Sequence, residues 1–261
     1  MQTHAVKRMG ALAVAAGMVL AFAGPALAEG PVSTATPTAT PAPRDTPPAA
    51  RIDHLKQECE TALDRRVAAL EALRATVSGN GYLTASDKAA LLDQIASESD
   101  GLGALRARIA GDTDLAALKA DCRDIVGNFR VYLLMVPKIH LMVAAAMTVH
   151  LAQKVTDLVG KLQAPLDRAR AAGKDVTQAQ QDLDGVKAAG AAGVAAASPV
   201  PGLVLALLPR DYPGNRPALE QARQDIKAAH DHFVEARNDA KKVIEDLKAL
   251  RTPETPTSTA R

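Results

Sequence analysis

Aromatic residues are nearly missing from this chain: its 261 residues hold no tryptophan, three tyrosines and three phenylalanines. A core made without large rings is narrow, which argues against a broad globular interior. Cysteine is limited to Cys59 and Cys122. No histidine stands at ligand spacing from either, so the pair does not suggest a metal site. An excess of one charge is also lacking. Thirty-one Lys and Arg face 29 Asp and Glu, for a formal net charge of +2. Such a balance gives no electrostatic reason to seek nucleic acid. No long apolar–polar alternation is present, which removes half-buried strands as a main element.

The usual catalytic spacings are missing too. His230 and His232 are two apart and point to nearly opposite faces of a helix. His140 and His150 are ten apart, and His54 stands alone. There is no H-x-x-x-H or E-x-x-H, so neither a zincin nor a di-iron helix motif exists. G-x-S-x-G, S-x-x-K and phosphate-binding glycine loops are likewise lacking. The many carboxylates lie beside Lys and Arg on helix faces, the pattern of a solvated surface. No catalytic, cofactor-binding or metal-ligating residue is assigned on these grounds, and the chain is not expected to be an enzyme.

What is present begins with an export signal. Lys7 and Arg8 precede an uncharged apolar run over residues 9–23, Gly24 and Pro25 break it, and Ala26-Leu27-Ala28 forms a small-x-small cleavage site. Residues 1–28 therefore read as a signal peptide. Its removal takes away Lys7 and Arg8 and no acid, leaving a formal charge of zero. Residues 29–50 are rich in Pro, Thr and Ala without periodicity and read as a disordered linker. Residues 251–261 read as a shorter polar tail.

Between them the pattern is helical throughout. Helix one, residues 51–77, carries Ile52, Leu55, Cys59, Leu63, Val67, Leu70, Leu73 and Val77. Thr84 and Asp87 resemble a capping box that starts helix two, with Leu91, Ile95, Leu102, Leu105 and Ile109 as its stripe. Helix three carries Leu115, Leu118, Cys122, Ile125, Phe129, Tyr132 and Val136. A kink is expected at Pro137, in one long helix that runs on to about residue 172 with Pro165 as a second weak point. Gly173 caps it. Asp175 and Gln178 are expected to cap helix four, whose stripe is Val176, Ala179, Leu183, Val186, Gly190, Gly193 and Ala197. After an irregular, proline-rich stretch over residues 198–214, Asn215 is expected to cap helix five. The stripe of helix five runs unbroken from Leu219 through Ala222, Ile226, Ala229, Phe233, Ala236, Ala240, Val243 and Leu247 to Leu250.

The expected fold is all-α: two antiparallel, coiled-coil-like three-helix bundles that share one long kinked helix, the first over residues 51–136 and the second over 137–250. Cys59 and Cys122 are each the third inward position of their helix. In an up-down-up bundle they fall at one level, which predicts a disulfide. Closing a loop with a separation of 63 residues, it would stabilise by roughly 4 kcal/mol on the chain-entropy account.

Two stretches invite functional readings. Arg130, Tyr132, Lys138 and His140 interrupt an apolar run beside Pro137. They form a candidate partner or ligand patch at the junction of the bundles, against the plainer reading that Lys138 and His140 cover backbone groups freed by the proline. Residues 188–208 hold no charge and could form a membrane-active hairpin, against the plainer reading of a close-packed Ala/Gly helix followed by a strap. A transmembrane reading of residues 131–149 fails on Pro137, Lys138 and His140.

The stretches DCRDIVGNFRVYLLMVPKIHL, LTASDKAALLDQI with GLGALRARI, and LALLPRDY resemble those of Ala-rich exported helical proteins of high-GC Gram-positive, actinobacterial-type bacteria. The resemblance covers about residues 51–250. It implies export and an all-helical body, and it carries no activity, cofactor or site residue. The functional expectation is a secreted or envelope-associated, non-enzymatic spacer or interaction protein, with membrane activity through residues 188–208 as the alternative. Its partner would be an envelope component or protein, and self-association is open, because long seams can serve neighbouring copies.

Overall fold

The computed structural model describes residues 47–251. The expected signal peptide, residues 29–46 of the linker and residues 252–261 of the tail lie outside them. The described chain is helical, without a strand among those residues. Helix α1 spans Pro48–Gly79 and α2 spans Ala85–Gly111. Helix α3, Leu115–Gly127, is followed by a π-helical turn, Val131–Met135, and then by α4, Val136–Ala171. Helix α5 is Thr177–Ala197, α6 is Val200–Val204 and α7 is Arg216–Ala249.

Helix α1 starts three residues inside the expected linker. Pro48 is the first helical residue, where a missing N–H costs nothing, and Ala49 and Ala50 are strong helix formers. Thr84 accepts from the Asp87 N–H at 3.0 Å and donates to the Asp87 carboxylate at 2.8 Å, so the expected cap of α2 is present. The cap on α5 differs from expectation. Asp175 accepts from Thr177 N, while the Gln178 amide turns to Asp182. Asn215 does not cap α7 with its side chain; it donates to Leu208 O at 2.9 Å and ties down the preceding strap. Gly173, at φ 75°, ends α4 as expected.

The expected kink at Pro137 is spread over the preceding turns. Helix α3 ends at Gly127, residues 128–130 leave the helix, and the π-helical turn brings Val136 N to Val131 O. Proline has no N–H to return and its ring crowds the carbonyl four residues back, so the wider turn absorbs the misfit upstream. The break also resets the inward face. Val131, Leu134 and Met135 are buried there, whereas Tyr132, expected in the core stripe, is 50% exposed.

The contacts fix direction. Lys88 Nζ reaches Ser78 O and Lys56 Nζ reaches Ala110 O, so α1 and α2 run antiparallel. Cys59 and Cys122 form a disulfide with Cα atoms 5.7 Å apart. Farther along, Tyr132 donates to Arg65 O at 2.9 Å and the Tyr82 ring meets His150. Helix α1 therefore runs parallel to α3 and the first half of α4. Gln163 bonds Gln180 while Gly190 lies against Val155, and Gly185 lies against Asp239 while Gly193 lies against the Phe233 ring, so α5 runs antiparallel to both α4 and α7.

Two clusters of buried side chains result. One joins α1, α2 and α3 and extends through Ile139, Leu141, Met142 and Ala145 of α4 to Val200, Val204, Leu219 and Ala222. The other gathers Leu162 and Leu166 with the apolar stripes of α5 and the later part of α7. Helix α4 supplies both. The stretch over residues 115–171 contains a window long and apolar enough to cross a membrane by composition alone, with mean hydropathy 1.6, but half of that window is buried in the bundle.

Candidate functional site

The four residues singled out beside Pro137 do not form one patch. His140 is exposed on α4. Tyr132 turns to α1, where its hydroxyl bonds Arg65 O and Arg66 lies over its ring at 5.7 Å from the centroid. Arg130 bends the other way: its Nε donates to Gly127 O at 3.1 Å and its guanidinium lies 5.2 Å from the Tyr212 ring centroid.

Lys138 points inward and is wholly buried, 0% exposed. It does not cover backbone freed by Pro137. Its ammonium donates to Leu207 O at 2.8 Å and to the Gln94 side-chain carbonyl. The Gln94 amide in turn donates to Leu205 O at 3.0 Å. Burial pulls the Lys138 pKa down to about 8, opposed by the charge of Glu98. Glu98 is held above the ordinary carboxylate range, again by burial first, with Lys138 and Arg210 acting against it. Its Oε2 is buried without a hydrogen-bond partner. A lysine with a lowered pKa suits amine chemistry when a substrate can reach it. Here the amine is enclosed and already committed to two acceptors, so the arrangement acts as a latch on the strap after α6.

The same fold covers the uncharged segment. Ala189, Gly190, Gly193, Ala197, Val200 and Val204 are buried, and the carbonyls of Leu205, Leu207 and Leu208 each accept from a side chain of another element. Among the described residues, no group of three or more His, Cys, Asp or Glu could hold a metal ion.

A groove lies between α1 and α3, beside the disulfide. It has a volume of about 480 Å³, opens to solvent and is lined by Leu55, Lys119, Cys122, Arg123, Val126, Gly127 and Arg130. Arg130 is the one residue it shares with the sequence-derived patch. The other cations escape a reading of the sequence because Lys119 and Arg123 look like ordinary solvated positions in one dimension. Their four-residue spacing on an exposed side of α3 is the signal that could have found them.

No protein-family model matches the chain, and neither does any curated protein or solved structure.

Proposed function

We propose that this chain is an exported, non-enzymatic helical spacer or interaction protein of the cell envelope. The disulfide between Cys59 and Cys122 carries this reading. Such bonds persist in oxidising compartments and are rare in reducing ones. The signal-like pattern over residues 1–28 points to the same compartment. The dispersal of Arg130, Tyr132, Lys138 and His140 supports the non-enzymatic part. General acid–base or nucleophilic chemistry needs such groups within hydrogen-bond reach of one another and of a substrate.

Expression of the full chain in a bacterial host tests the reading. Mass spectrometry of the envelope and medium fractions should find a mature N-terminus at Glu29. A thiol alkylating reagent should label Cys59 and Cys122 only after reduction. Recovery of unprocessed chain in the cytoplasm, with both thiols reactive, would sink it.

A further inference from the structure

We infer that the groove between α1 and α3 binds a single-chain anionic amphiphile, an acyl tail with a carboxylate head. The floor is apolar, made by half-buried Leu55 and Cys122, and Val126, 55% exposed, stands at its open side. Gly127 leaves that floor open, since nothing lies within 4 Å of where a Cβ would stand. The rim is cationic, with Lys119, Arg123 and Arg130, and no carboxylate lines the groove. Among the described residues, neither Lys119 nor Arg123 has an ion-pair partner. Arg130 is held by a carbonyl and a ring rather than by an acid. Other cations nearby are neutralised: Arg106 pairs with Glu60 and Asp64, and Arg108 with Asp121 and Asp124.

Lys119 and Arg123, without acids at one end of an apolar trough, complement a ligand that is negative at one end and hydrocarbon along its length. Lys119 and Arg123 stand one helical turn apart and can bracket a single head group. From Lys119 to Gly127 the groove runs about 12 Å along α3, the reach of a medium-length acyl chain. Its volume lies within the range of small-molecule sites. A membrane surface fits less well, because Val126 is the one largely exposed apolar side chain in the groove's lining. The disulfide fixes the two walls against each other, so the trough is preformed.

Titration of the purified ¹⁵N-labelled chain with monomeric sodium dodecanoate tests this. Saturable shifts confined to amides of residues 52–59 and 119–130 are expected. Dodecyltrimethylammonium should bind at least tenfold more weakly. The double variant K119Q/R123Q should keep its helical circular dichroism and lose about tenfold in dodecanoate affinity. Four results would each overturn the inference: no shifts in the groove, equal binding of the cationic amphiphile, unchanged affinity in the double variant, or binding only of phosphatidylglycerol vesicles or polyglutamate. The cellular location of the protein does not enter this test, so its failure leaves the export reading standing.

Discussion

Lys138 and Leu207, 69 positions apart, are joined by a 2.8 Å bond from ammonium to backbone carbonyl inside the protein. The bond pins the strap after α6 to α4, and Gln94 pins it to α2 through Leu205 O. Lys138→Met keeps an unbranched apolar stem, one atom shorter, and removes the donor, which leaves Leu207 O and the Gln94 side-chain carbonyl without that bond. An unsatisfied buried acceptor of this kind costs about 2 kcal/mol. At pH 10, where the folded-state amine is largely neutral and its burial no longer carries the cost of a charge, the melting temperature of a domain of this size should fall by about 4–8 °C. Hydrogen exchange should accelerate at residues 205–211 before it does so in α1. An unchanged urea midpoint with unchanged exchange would show that the latch contributes nothing.

The same lysine sets a pH dependence. Its pKa is about 8 in the folded chain, against an ordinary value of 10.5. Between these values the unfolded chain holds the proton and the folded chain has released it. Stability therefore rises with pH over that window. Below about pH 8 both states carry the charge, and burying it is a standing cost. Urea unfolding at pH 7.5 and at pH 10 should show wild type gaining on the Lys138→Met variant. A constant difference between them across the range would contradict the assignment.

The bridge between Cys59 and Cys122 closes a separation of 63 residues. It ties the start of α1, where Ile52 and Leu55 are only half-buried, to α3. Opening a loop of that length removes about 4 kcal/mol on the chain-entropy account. Reduction, or the double change C59S/C122S, should lower the melting temperature by about 10 °C. Exchange should rise most at residues 48–60. A melting curve that does not respond to reductant would refute this.

Helix positions were legible where an apolar stripe is uninterrupted. All seven stripe positions read for α5 are buried, as are eight of the ten in α7, with Ile226 and Leu250 at the margin. The disulfide was legible because each cysteine occupies a stripe position one heptad into its helix. The Lys138 latch was less visible, although it left a trace. Glu98 fills the gap between Ile95 and Leu102 in the stripe of α2. Lys138 stands among Leu134, Leu141 and Ala145 at three-four spacing. Each charge looks like a surface residue until both are seen to turn inward toward one strap. The π-helical turn could not be read, because Pro137 announces a misfit without saying which turn absorbs it. Nor could the groove, because it needs Leu55 from α1 beside Lys119, Arg123 and Val126 from α3.

The approach of α5 to α7 rests on a missing side chain. A Cβ on Gly193 would lie 2.7 Å from Cε2 of Phe233, too close for the ring to keep its place. Gly193→Ala gains up to about 1 kcal/mol of helix propensity. It must also move a packed ring, at about 1–3 kcal/mol. The net expectation is a loss of about 1 kcal/mol. Gly160, in α4, is the internal control: it is exposed, and nothing lies within 4 Å of the point a Cβ would occupy. Gly160→Ala should therefore stabilise by about 0.5–1 kcal/mol. Chemical denaturation of the two variants side by side gives opposite signs if α5 and α7 meet at Gly193 and Phe233. Two stabilised variants would mean that the ring has room to withdraw, and that the helices are not held at this spacing by the glycine.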